Sequence, residues 1–186
     1  MFLNFDFFRK FYLKTILKMM MILFISFTVS LIPLNENVVI SLVNFPDWEI
    51  TVEQGYPLVR KIEQKARMLE DVSIARIFNI NKEYQIDYNG YSLFSNPKDE
   101  EIKAKFFDVG DKGFYFQIFI SEKGQLIQSY GKCLERGKWN NVKKGYELIS
   151  KECGNNAWQF WEIRRVPIVI KDNNELNAQV FIHNTR

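Results

Sequence analysis

The sequence has little of what most catalytic chemistry uses. Its one histidine, His183, leaves nucleophile–base–orienter arrangements without a placed imidazole, and it reads as an ordinary strand-end residue. The nine glycines form neither a G-x-G-x-x-G nor a P-loop pattern, which argues against nucleotide phosphate chemistry. The two cysteines, Cys133 and Cys153, stand outside any C-x-x-C and, with a single histidine, cannot complete a four-ligand zinc site. No metal and no cofactor is therefore expected. No N-x-S/T sequon occurs, which disfavours a glycosylated surface protein.

The charge is just as uninformative until it is divided along the chain. Arg9, Lys10, Lys14 and Lys18 against Asp6 account for the whole net charge of +3, leaving residues 36–186 with as many acidic as basic side chains. A neutral domain without a basic run offers no field to displace counterions from phosphate, so nucleic acid is not expected as a partner.

The basic residues precede an uncharged apolar run, residues 19–34, followed by no further base for 25 residues. This pattern predicts a transmembrane signal anchor over 19–34 behind a basic cytoplasmic flank, residues 1–18, with the remainder exported by the positive-inside rule. A cleaved signal peptide is the alternative, weakened by the lack of a small-x-small site outside the run. The expected organisation continues with a short tether, residues 35–47, and an extracytoplasmic domain, residues 48–186. The expected location is the bacterial inner membrane with the domain in the periplasm, or a secreted or periplasmic protein after cleavage. The expected partners are the membrane, through the N-terminal helix, and an envelope protein. In such an oxidising compartment Cys133 and Cys153 form one disulfide, a closure that stabilises by about 3 kcal/mol.

Within the domain, apolar residues at three- and four-residue spacing (Leu58, Val59, Ile62, Ala66, Leu69, Val72) after Pro57 predict one amphipathic helix. From Ser73 the period changes to two. Strands are expected over 74–80, 84–88 and 91–94, the last two joined by Asn89-Gly90, then over 103–109, 114–120 and 125–134. The segment 114–120, apolar on both faces, reads as a central covered strand. A hairpin of 146–153 with 157–164 and a last one of 166–170 with 178–183 complete an antiparallel meander. The expected fold class is α+β, with the helix on a curved sheet. That order of elements is similar to cystatin-like and NTF2-like architectures, a likeness that implies no activity.

Two functions fit these observations. The first is a membrane-anchored, non-catalytic, protein-binding domain of immunity, inhibitor or envelope-accessory type. Its binding face is drawn from the aromatic and basic block Trp139, Lys143, Lys144, Tyr146, Trp158, Trp161 and Arg164, residue types that give much contact for little entropy. The second is a small hydrolase of cell-wall or glycan substrates, which requires two of Asp87, Asp108, Glu135, Glu147, Glu152 and Glu162 to converge.

Overall fold

The computed structural model describes residues 32–63 and 71–167, with the backbone of 169–170 and 179–180. Among the described residues there is no α-helix; they form strands and two one-turn 3-10 helices, Lys112–Phe114 and Ala157–Gln159. They are β1 (Asn37–Leu42), β2 (Phe45–Glu53), β3 (Tyr56–Lys61), β4 (Ala75–Ile80), β5 (Glu83–Tyr88) and β6 (Tyr91–Phe94). There follow β7 (Lys103–Lys105), β8 (Gln117–Ser121), β9 (Gly124–Ser129), β10 (Lys132–Asn140), β11 (Gly145–Glu152) and β12 (Trp161–Arg165), with a short ladder of β13 (Val169–Ile170) and β14 (Gln179–Val180).

Local chemistry sets the hairpins. Gln54-Gly55, Asn81-Lys82, Asn89-Gly90 and Tyr130-Gly131 all have positive φ at both positions, the conformation that matches the twist of two-residue hairpins. Every ladder is antiparallel. Pairing runs β12–β9–β10–β11–β3–β2–β1, and β1 pairs β12, closing a seven-strand barrel. Tyr84 and Phe116 form a further bridge, so β1–β4–β5–β8–β9–β12 is a second, six-membered ring. Its interior holds Ile40, Leu42, Ile77, Ile86, Phe116, Ile127 and Trp161, all essentially inaccessible. The hairpins β2–β3, β6–β7 and β10–β11 join one another over this ring. Val59 pairs Tyr146, Ile102 N–H donates to the Leu148 carbonyl (3.1 Å), and Ala104 N–H to the Gly55 carbonyl (3.2 Å).

The three four-strand units β1–β4, β5–β8 and β9–β12 repeat one plan. Each enters its last strand through a turn begun by Asp71, Asp111 or Asn156, whose carbonyl accepts from the N–H three residues on, at 2.9, 3.3 and 3.0 Å. The residues that then pair the unit's first strand are Ala75, Phe116 and Trp161, all buried.

This architecture corrects the α+β expectation. Residues 57–61, read as the first turn of a helix, lie in β3; Leu58 and Val59, adjacent and so on opposite faces of the strand, are both buried. Residues 64–70 of that helix lie outside the described residues. Residues 37–42, assigned to a tether, are β1, which pairs β2, β4 and β12 at the centre of the fold. The segment 114–120 is not a covered central strand: Phe119 and Ile120 are half exposed. Strand 125–134 divides at the Tyr130-Gly131 turn into β9 and β10, and β11 and β12 are not paired with each other.

The expected membrane helix, 19–34, and its flank lie outside the described residues up to residue 31. Residues 32–34 are not helical, Pro33 is buried, and Asn35 N–H donates to the Ile77 carbonyl (2.9 Å). Among the described residues no helix is long and apolar enough to cross a membrane, so none of them supports the expected partnership with a bilayer through a transmembrane helix. His183 is also outside the described residues.

Candidate functional site

Two surfaces gather chemically capable side chains. The first is a cleft of about 520 Å³ where the β2–β3 turn meets β6 and the strand β7. Its walls include Gln54, Tyr56, Tyr91, Glu101, Lys103 and Phe106. The floor depends on Gly55: its φ of +81° suits glycine, and a Cβ there would stand 3.3 Å from the Ala104 carbonyl oxygen. Tyr91 and Phe106 stack with centroids 4.9 Å apart and planes 28° apart, and Phe106 is 74% exposed. Tyr56 is half exposed, with Lys143 Nζ 3.5 Å from its ring centroid. Arg60 fixes the Lys143 backbone by donating to its carbonyl (2.8 Å) while pairing with Glu53 (2.6 Å). The cleft thus offers ring faces beside an amide, a carboxylate and an ammonium group.

The second surface is a row of rings around one arginine. Phe45 stacks on Trp158 (5.0 Å, 17°), and the guanidinium carbon of Arg136 lies 3.4 Å from the Trp158 ring and 3.9 Å from the Tyr146 ring. Tyr146 then meets Trp48 and Trp139 edge-on, each at 5.1 Å. The row is possible because β10 carries a register shift between Arg136 and Trp139; a bulge re-aims side chains, and here both flank Tyr146. Phe45 and Trp139 at its two ends are 42% and 44% exposed.

The sequence-derived binding block is therefore divided. Trp139, Tyr146 and Trp158 come together in the row. Lys143 sits over Tyr56 at the cleft, and Lys144 is exposed at the β10–β11 turn with φ +53°. Arg164 lies on β12, donating to Ser41 Oγ (3.4 Å) and the Pro46 carbonyl (3.3 Å) and pairing with Glu162. Trp161 belongs to the core, its indole N–H donating to the Leu134 carbonyl (3.1 Å). Arg136, Phe45 and Trp48 were missed, as were Tyr56, Tyr91 and Phe106. The bulge glycine Gly137 beside Arg136 was the only local signal.

Cys133 and Cys153 form a disulfide, with Cα atoms 5.0 Å apart, tying the end of β11 to β10. Five of the six candidate acids are occupied locally. Asp87 accepts from Gly90 N–H and Ser92 Oγ, Asp108 from Gly110 N–H, Glu135 from Gln159 and Glu147 from Asn140, while Glu162 pairs with Arg164. Glu152 is exposed at the end of β11, where its backbone carbonyl accepts from Gln159. The 520 Å³ cleft carries one carboxylate, Glu101, and a smaller one carries Asp87. Neither presents the two facing acids that glycoside hydrolysis needs. Glu100, at the end of the loop before β7, is held below the ordinary glutamate range by its hydrogen bond and ion pair with Lys151 (2.6 Å).

No protein-family model matches this chain, and no curated protein matches it by sequence. Solved structures do match. The ricin B-like lectin of Macrolepiota procera in complex with lactose superposes with a TM-score of 0.58 at 13% identity, over 74% of this chain and 100% of the lectin. The β-trefoil BEL, in an apo crystal form, gives 0.56 at 16% identity, over 74% of this chain and 98% of its own. A chain of the cytolethal distending toxin from Actinobacillus actinomycetemcomitans gives 0.57 at 9% identity, over 75% and 97%. The barrel of three four-strand units capped by three hairpins is accordingly β-trefoil-like.

Proposed function

We propose that the chain is a non-catalytic carbohydrate-binding domain and that its site is the cleft of Tyr56, Tyr91 and Phe106. The observation that carries this reading is the Tyr91–Phe106 stack, its Phe106 ring exposed, in a concave site rimmed by Gln54, Glu101 and Lys103. A pyranose has one face of C–H groups and a rim of hydroxyls. Laying that face on a ring removes apolar area from water, and an amide, a carboxylate and an ammonium group can satisfy the rim. A lectin with the same architecture holds lactose, which supports a galactoside as the first ligand to try.

The disulfide supports an exported protein, secreted or periplasmic, because such bonds persist in oxidising compartments. Calorimetry with lactose and a glycan panel tests the binding function. Binding is expected to weaken about tenfold or more in Tyr91→Ala and in Phe106→Ala, the loss that follows from removing a stacked ring. Equal affinity in both variants contradicts the proposed site.

A protein ligand is the second reading, favoured by the ring row, whose tryptophans, tyrosine and arginine are the residue types of interface hot spots.

A further inference from the structure

Among the described residues Arg136 has no counter-ion. Its Nε is buried with no hydrogen-bond partner, and among the described residues no carboxylate or carbonyl engages the guanidinium. The neighbouring acids are committed elsewhere: Glu135 accepts from Gln159 and Glu147 from Asn140. Trp158 and Tyr146, on the two sides of the guanidinium, leave it little freedom to swing toward another partner. A fork clamped in this way has lost its rotamer entropy in advance, so a planar anion meeting its edge does not have to order it.

From this arrangement we propose that the ring row is a second binding site, distinct from the cleft, for a saccharide bearing a carboxylate. Arg136 pairs with the acid group, and the exposed ends of the row, Phe45 and Trp139, receive the apolar faces of the neighbouring sugars. Guanidinium and carboxylate match as two parallel, charge-assisted hydrogen bonds, which neutral sugars cannot reproduce. The alternative source of a carboxylate is an acidic peptide. An extended peptide gains its main-chain affinity by adding to a free strand edge. At Tyr146 β11 lies between β3 and β10, whereas β10 pairs β9 only at Lys132 and Cys133, so a peptide would have only the short outer edge of residues 136–140 to add to. The flat rings at the two ends of the row favour the sugar, and the acidic peptide is an arm of the test.

The positions of the tryptophans make the test specific. Trp48, Trp139 and Trp158 all lie in the row, the cleft lining has none, and Trp161 is buried in the core. The full chain is titrated with α-1,4-linked tetragalacturonate, with its methyl ester as the uncharged counterpart, and with tetraglutamate as the acidic peptide. Tryptophan emission and calorimetry are read together. The expected result is that tetragalacturonate binds with a change in tryptophan emission, that the ester and the peptide bind at least tenfold more weakly, and that Arg136→Lys reduces affinity about tenfold by removing the bidentate fork. Arg136→Gln serves as a second variant, and the thermal melting of both reports whether the fold is kept. Ester or tetraglutamate binding as tightly as tetragalacturonate overturns the inference, as does unchanged affinity in folded Arg136→Lys. Saccharide binding with silent tryptophans also overturns it while leaving the cleft reading intact, and lactose binding that fails while tetragalacturonate binds removes the cleft reading alone.

Discussion

Tyr84 and Phe116 exchange both of their main-chain hydrogen bonds, 2.7 Å from Tyr84 N and 2.8 Å from Phe116 N, and this single pair joins β5 to β8 in the six-strand ring. Phe116 has no accessible surface and occupies in its unit the register position that Trp161 occupies in the third. Phe116→Ala leaves a void in the ring's interior, and its expected cost is about 3–5 kcal/mol of unfolding free energy, measured by denaturant titration. A loss under 1 kcal/mol contradicts the packing described.

The Cys133–Cys153 bond closes a loop of sequence separation 20 and joins a fully buried residue to an exposed one at the end of β11. Cys133→Ser with Cys153→Ser is expected to lower stability by about 3 kcal/mol in the chain-entropy account. Thiol counting on the unreduced protein should find no free sulfhydryl; two free thiols refute the pairing.

Tyr88 is buried with its hydroxyl unpartnered, and its phenol pKa is driven well above the ordinary value, first by burial and then by the nearby Glu49 carboxylate. The folded state holds the phenol proton more tightly than the unfolded chain. Its contribution is therefore complete below the unfolded value near 10 and declines as pH rises beyond it toward the folded value. Tyr88→Phe removes the unpaired hydroxyl, with an expected gain of about 1 kcal/mol at neutral pH and a shallower alkaline loss in pH-dependent unfolding. A clear loss of stability would reveal a hydrogen bond to that hydroxyl.

Gly113 enters the turn before β8 against the Phe94 ring and the Ser95 backbone, whose N–H donates to the Gly113 carbonyl (2.9 Å). A Cβ at this position overlaps both groups. Gly113→Ala is expected to destabilise by about 1–3 kcal/mol through overpacking, read from thermal unfolding, whereas alanine at Gly154, which has open space, should change little. Equal effects at the two glycines contradict the close approach.

The sequence carried the fold where short-range chemistry decides it. Asn89-Gly90 and the alternation on either side place β5 and β6 almost to the residue. The failure at 57–72 has a physical cause: Leu58 and Val59, on opposite faces of β3, are both buried, and adjacent apolar residues imitate a helical face. The repeated turn at Asp71, Asp111 and Asn156 was present but is only a few residues long, and the buried residue that follows changes from alanine to phenylalanine to tryptophan, so side-chain identity hides it. The binding surfaces were legible only in part. Trp139, Tyr146 and Trp158 are close in sequence, whereas Phe45 and Trp48 reach the row from β2, and the cleft joins the β2–β3 turn to β6 and β7, juxtapositions that only the barrel's closure creates.

The most direct test of the carbohydrate-binding account is an amide and aromatic NMR titration of the folded chain with lactose. The account predicts saturable shifts confined to Gln54–Tyr56, Tyr91 and residues 101–106, with the Trp161 indole unmoved. Saturable shifts centred elsewhere on the barrel, or no shift with any saccharide of a broad panel, contradict it.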